Sequence, residues 1–361
     1  MKNSYITAGI TLPRFIRLLH KNPFSLRPDF SGRILFILQA SFWSYIFSCI
    51  EKRKFSTQID SSPLPEDIIF IVGHWRTGST FLHQLIFQDP SLTAPTLFQV
   101  VMPENYISSR KYFYPIIKLF ITKYRPMDRV TVTLDDPQED EYAIFRETGY
   151  SPLEKLVFPE SEKYFLSGMN SFLPEPSELL QWEEDVIRIF KKIHFATGKR
   201  IISKNPFHSL RIPELCKMFP KAKFIHIYRH PYEVVPSSIH LWKIVQKQNR
   251  LNGKCAVPTT EEVADVLDLF LNTIRKDLQE IPHDRWCEVR FESLEKDPLN
   301  EVKKIYKHLG MDFTNECQDR MEAFLDTVKN YRRNEYHLTS EEKQIISERL
   351  KNNMNYYHFL T

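Results

Sequence analysis

Residues with the types and spacing for anion chemistry lie together in Gly73-His74-Trp75-Arg76-Thr77-Gly78-Ser79-Thr80. Two glycines bound a short loop holding one cation, Arg76, and one hydroxyl, Thr77, with the hydroxyls of Ser79 and Thr80 directly after it. The apolar run Ile68 to Val72 precedes it and Phe81-Leu82-His83-Gln84-Leu85-Ile86 follows. A strand feeding a tight loop and then a helix turns backbone N–H groups and the positive helix end toward a phosphate or sulfate. Gly73 and Gly78 are two of only nine glycines, so their placement suggests a backbone requirement.

The ordinary nucleotide-binding Walker loop ends Gly-Lys-Ser/Thr, the lysine reaching the β/γ-phosphates and the hydroxyl binding magnesium. Here Ser79 stands where that lysine belongs, and the cation, Arg76, lies three positions earlier. Kinase or ATPase chemistry is disfavoured, while anion binding is retained.

A second set follows another apolar run, Lys223 to Tyr228. It reads Arg229-His230-Pro231, with Ser237 and Ser238 a turn or two on. Two strand-to-helix junctions, each with a cation and hydroxyls, suit a ligand carrying two separated phosphate groups. A third segment, Arg290 to Pro298, includes Phe291, Glu292, Leu294 and Asp297.

Together these segments resemble the sulfotransferases that use 3′-phosphoadenosine 5′-phosphosulfate (PAPS). The first signature of that family, Arg/Lys-x-Gly-Thr/Ser-Thr, is similar to residues 76–80. Its second, Arg-x-Pro with a serine eight residues after the arginine, matches Arg229, Pro231 and Ser237; its third matches 290–298. The resemblance covers about residues 66 to 310. It implies that Arg76, Thr77, Gly78, Ser79 and Thr80 hold the 5′-phosphosulfate, and that Arg229 and Ser237 hold the 3′-phosphate. Phe81 is either an adenine-stacking ring or a core residue. Arg332 and Arg333 match the family's late basic segment only loosely.

Sulfuryl transfer needs in-line geometry and positive charge on the leaving oxygen, which arginine supplies without a metal. Lys204, in Ser203-Lys204-Asn205-Pro206-Phe207, resembles the lysine before Pro-Phe in tyrosylprotein sulfotransferases, near the transferring group. The acceptor hydroxyl also needs a general base. The family uses histidine in its cytosolic branch and glutamate in the tyrosylprotein branch; neither context is plainly repeated. Asp135-Asp136-Pro137-Gln138-Glu139-Asp140-Glu141 gathers carboxylates, making Glu139 and Glu141 the acidic candidates. The alternative is an acidic first helical turn, with Asp136 as cap and Pro137 at the first position. His74 is next in order; His208 and His240 are weaker.

The expected architecture is an α/β fold: a central parallel sheet with helices on both faces and a P-loop-like phosphosulfate loop. The strands expected to position these groups are 68–72, 200–203, 223–228 and 286–291. Helices are expected at 79–88, 209–219, from Thr259 to about 279, and at 298–309. Residues 67–361 form the sulfotransferase domain. Residues 91–199, rich in Pro, Phe and Tyr, read as a helical insertion forming the acceptor site.

Residues 1–66 read as a helical N-terminal segment. Within it, 34–50 is uncharged and barely of membrane-spanning length, with Ser41, Ser44 and Ser48 at i, i+3 and i+7. It packs on the domain or on a partner copy, or it touches a membrane peripherally. A net charge of +4 does not suggest a nucleic-acid binder. Five scattered cysteines and no signal-peptide pattern fit a cytoplasmic, reducing location. With 27 Phe and 16 Tyr in the chain, the small-molecule acceptor is expected to be a lipophilic alcohol such as a sterol or lipid. A carbohydrate or tyrosine acceptor is the alternative. A non-catalytic nucleotide-binding protein and a kinase are more distant ones.

Overall fold

The computed structural model describes residues 6–22, 28–120, 132–159, 164–251, 256–329 and 334–359. Five short parallel strands form one sheet: β1 (Ile69–Val72), β2 (Leu92–Thr93), β3 (Arg200–Lys204), β4 (Lys223–Tyr228) and β5 (Trp286–Arg290). Their order is β2-β3-β1-β4-β5. The central strands are apolar on both sides, as a sheet covered on both faces requires. Phe70, Val72, Ile201 and Phe224 face one core with Phe190 and Phe219, while Ile69, Ile71, Ile202 and Ile225 face another with Leu82 and Leu85.

From β1 the chain leaves toward β2 on one side of the sheet; from β4 it leaves toward β5 on the other. The crevice between the carboxyl ends of β1 and β4 is therefore the topological switch point, where open α/β sheets bind ligands. Val72 pairs with His226 across these strands, so their junction loops start side by side.

Several expected boundaries shift. The helix after the loop runs Ser79–Ile86. A 3-10 turn at Pro206–Leu210 precedes the helix Ile212–Met218, and Phe291 begins a helix instead of ending a strand. Thr259 and Glu262 form the expected capping box on Thr260–Gln279. The 91–199 region opens with β2, which pairs with β3, before its helices begin. No helix starts at Pro137. Its backbone bridges Thr96, and the Gln138 N–H donates to the Pro95 carbonyl at 2.8 Å, so the helix begins at Glu141.

The N-terminal helices, Leu12–Lys21 and Ser31–Ser61, pack on the domain. Ser41, Ser44 and Ser48 turn inward: the Ser44 hydroxyl donates to the Gly9 carbonyl at 2.7 Å, and Asn105 donates to the Ser44 carbonyl at 3.0 Å.

Candidate active site

The loop after β1 is shaped mainly by its backbone. Gly73 has φ 145° and Gly78 φ 91°; a Cβ at Gly78 would lie 2.0 Å from the Phe291 ring, and one at Gly73 2.3 Å from the Ile227 carbonyl oxygen. Neither position accommodates a side chain. Arg76 has φ 70°, an uncommon value for a non-glycine residue that costs about 1–2 kcal/mol. Such conformations concentrate where function demands them.

Arg76 joins the two strand-to-helix junctions. Its Nε donates to the Ser237 hydroxyl at 2.8 Å, and its carbonyl accepts from Arg229 Nη1 at 3.3 Å. Arg229 is also held by Glu233 at 2.9 Å and lies over the Phe291 ring, 4.6 Å from its centroid. Phe291 therefore supports Gly78 and Arg229 together, which gives the third sequence segment a structural role.

The loop hydroxyls divide by use. Thr77 is buried and donates to the His74 carbonyl at 2.8 Å, closing the loop on itself. Ser79 and Thr80 occupy the first turn of the following helix, where N–H groups have no helical partner. This set of two arginines, first-turn hydroxyls and N–H groups is chemically suited to phosphate and sulfate oxygens. Phe81 is partly buried and lies nearly parallel to Phe324, centroids 6.5 Å apart.

His74 points into the core. Its ring packs against Trp75 and Phe270, and its Nδ1 bonds the Trp75 carbonyl at 2.9 Å. Burial pushes its imidazole down to about 4, partly offset by that bond. It is 1% exposed, so this geometry gives it no open approach to an acceptor.

The carboxylate run separates residue by residue. Glu139 Oε1 lies 2.5 Å from Lys204 Nζ and keeps 16% of its side chain exposed. Asp140 and Glu141 are fully buried. Asp140 accepts from His208 at 2.7 Å and Ser203 at 3.0 Å. Burial alone would raise its carboxyl, but the His208 and Ser203 contacts outweigh that and hold it below the usual range. Glu141 is gripped by Arg211, Nη1 to Oε2 at 2.6 Å, and also by Asn205 and Ser151. Glu139 is thus the carboxylate of the three with solvent access.

Lys204 ends β3, where its register partner Ile71 lies just before the loop. Its charge reaches the helix after the loop: His83 is pushed down to about 3, first by burial and then by Lys204. The Lys204–Glu139 pair therefore stands at the carboxyl end of the strand next to β1. His240 contacts Tyr336, and Arg332 and Arg333 lie outside the described residues.

Sequence reasoning missed Ser209, whose hydroxyl accepts from the Gly73 N–H at 2.8 Å, and Arg211, the partner of Glu141. No local motif marks either residue. Among the described aromatic side chains between 98 and 165, Phe98, Phe145, Phe158, Tyr164 and Phe165 are core, whereas Tyr112 is exposed.

Built at the switch point of a parallel sheet, this arrangement suits an enzyme that transfers a group from a nucleotide with two separate anionic groups. A profile described as the Sulfotransferase family matches residues 67–315. The omega-hydroxy-beta-dihydromenaquinone-9 sulfotransferase Stf3 of Mycobacterium tuberculosis is 33% identical over 350 residues, 94% of this chain and 87% of its own length. Its counterpart from Mycobacterium bovis matches equally. Among solved structures, sulfotransferase STF9 from Mycobacterium avium aligns with TM-score 0.63 at 18% identity, covering 91% of this chain and 87% of that one. STF1 from Mycobacterium tuberculosis aligns with TM-score 0.62, also at 18% identity and with the same coverage. The chain belongs to the sulfotransferase family and is a PAPS-dependent enzyme of it.

Proposed function

We propose that the enzyme transfers the sulfuryl group of PAPS to the terminal hydroxyl of a lipophilic, isoprenoid-type alcohol, with Glu139 as general base. The observation that carries the base assignment is the Lys204–Glu139 pair: Asp140 and Glu141 are consumed by buried partners, whereas Glu139 keeps solvent access beside Lys204. Support for a lipid acceptor comes from the substrate in the name of the Stf3 relatives, which match nearly the whole chain.

In this reading the Arg76 guanidinium, the Ser79 and Thr80 hydroxyls and their N–H groups grip the phosphosulfate, and Arg229 and Ser237 grip the 3′-phosphate. Glu139 takes the proton of the acceptor hydroxyl as its oxygen attacks sulfur. The bond from sulfur to the bridging oxygen breaks, and 3′-phosphoadenosine 5′-phosphate leaves with the electron pair. Lys204 and Arg76 supply positive charge to the oxygens on which negative charge grows.

Labelled PAPS or ATP is to be supplied separately with an ω-hydroxylated isoprenoid quinol, a sterol, a tyrosine peptide and an oligosaccharide. The expected result is PAPS-dependent sulfation of the isoprenoid alcohol. Sulfation of the peptide or oligosaccharide alone would overturn the acceptor assignment; turnover with ATP and not PAPS would overturn the donor.

A further inference from the structure

The helix Ser31–Ser61 reverses the usual burial pattern of a surface helix. Its inner face holds Ser41, Ser44, Ser48 and Glu51 between Ile37 and Ile59, all buried. Its outer face presents Leu35, Phe42, Trp43 and Ile50, with Phe42 47% and Trp43 48% exposed. These outer positions recur at helical spacing, and Arg53 and Lys54 continue the same face one turn later.

A second helix extends this surface. Tyr106–Phe120 packs beside the first through Phe47, whose ring lies 5.5 Å from Tyr112 and 5.0 Å from Phe113. Tyr112, Ile116 and Leu119 form its outward stripe at i, i+4 and i+7, and Leu119 is 82% exposed. Contiguous exposed apolar surface of this kind marks an interaction site.

Charge identifies the occupant. Helices Ser31–Ser61 and Tyr106–Phe120, which form this face, carry seven Lys and Arg against two carboxylates, Glu51 and Asp60. That excess of five exceeds the +4 of the whole chain, so the remaining sequence is net negative. Arg14 is paired with Glu104 and Arg110 with Asp135, while Lys52, Arg53 and Lys54 are exposed beside the apolar face.

We propose that this face is a docking surface for an anionic lipid bilayer, with the Phe42–Trp43 and Ile116–Leu119 side chains entering the headgroup boundary and the flanking basic residues pairing with lipid phosphates. Aromatic and aliphatic groups flanked by Lys and Arg suit that boundary, where each end finds its own medium.

The helix is long and apolar enough to cross a membrane by length and composition. Crossing, however, would abandon its inner bonds: Ser44 to Gly9, Asn105 to Ser44, the Ser108 N–H to Glu51 at 2.6 Å, and the buried Lys192–Glu51 ion pair. It therefore lies along the surface while remaining part of the domain. A second copy of the chain is disfavoured because a two-fold contact would bring the two basic surfaces together. Binding is read without turnover, so it stands or falls independently of the acceptor.

The test is co-sedimentation of the full-length protein with extruded vesicles of phosphatidylcholine, with and without phosphatidylglycerol. Binding is expected to require phosphatidylglycerol and to weaken at about 0.5 M salt, where surface charges are screened. The F42E/W43E variant should weaken it by at least about tenfold, since it places charge in the apolar boundary. Separately, K52Q/R53Q/K54Q should remove much of its salt dependence, and both variants should melt with the parent. Three results overturn the proposal: absence of vesicle binding, equal binding by parent and both variants, or a parent dimer that F42E/W43E dissociates without any effect of lipid.

Discussion

The two halves of the candidate active site are constructed differently. The anion cradle takes its main residues from consecutive positions at the ends of the adjacent strands β1 and β4, and the backbone sets its shape. The facing run 139–141 takes its meaning from remote partners: Lys204 lies 65 positions from Glu139, His208 lies 68 from Asp140, and Arg211 lies 70 from Glu141. In the cradle, neighbours in sequence act together. In the carboxylate run, neighbours in sequence have opposite roles.

The sharpest way to break this contrast is to neutralise the two glutamates separately. Glu139→Gln is expected to lower kcat by about 10²–10⁴-fold, the range of a lost general base, while binding of 3′-phosphoadenosine 5′-phosphate by calorimetry stays near normal. Glu141→Gln should instead cost about 3–5 kcal/mol of stability in denaturant titration, because Arg211 is left charged in the core. The folded fraction of that variant should turn over normally. If the two variants exchange phenotypes, the division of roles is wrong.

This contrast also explains how much of the site could be read from sequence. The strand–loop–helix turn at 69–86, the strand ending before Arg229 and the Thr259 capping box were legible because each signal lies within a dozen residues: an apolar run, a glycine, a proline, a cap. The sorting of Glu139 from Glu141 was not, because it depends on how the chain between them and Arg211 folds back on β3. The Pro137 boundary failed for a related reason. Asp-Pro is a sound helix start, but pairing of 136–138 with 95–97 holds that backbone extended. The serine stripe at 41, 44 and 48 was visible as a pattern; that it faces inward depends on Gly9 and Asn105.

The cradle offers a backbone test of the same comparison. Gly78→Ala must accept φ near 91° and a Cβ 2.0 Å from the Phe291 ring, so it is expected to cost about 2–5 kcal/mol in stability and nucleotide binding together. Adding Phe291→Leu should restore the part due to collision and leave the part due to φ. A Gly78→Ala protein that melts and binds nucleotide like the parent would mean that this loop adjusts freely.

The smallest effect concerns Glu147, in the same helix as Glu141 but without a bidentate partner. Burial pushes its carboxyl up to about 7, and Lys192, the main opposing charge, offsets this only partly. The native state therefore holds this proton above the ordinary value of 4.5, where the unfolded chain releases it. Native protein binds more protons across that interval, so the contribution is fully favourable below pH 4.5 and declines as pH rises toward 7. Above that, ionising Glu147 in the core costs on the order of 3 kcal/mol. Glu147→Gln removes the ionisation and keeps the shape. Its melting temperature should exceed the parent's at pH 8, and the difference should shrink steadily toward pH 4.5. A constant offset across that range would mean that Lys192 already neutralises the carboxylate, giving Glu147 a remote partner as effective as the one that Arg211 provides for Glu141.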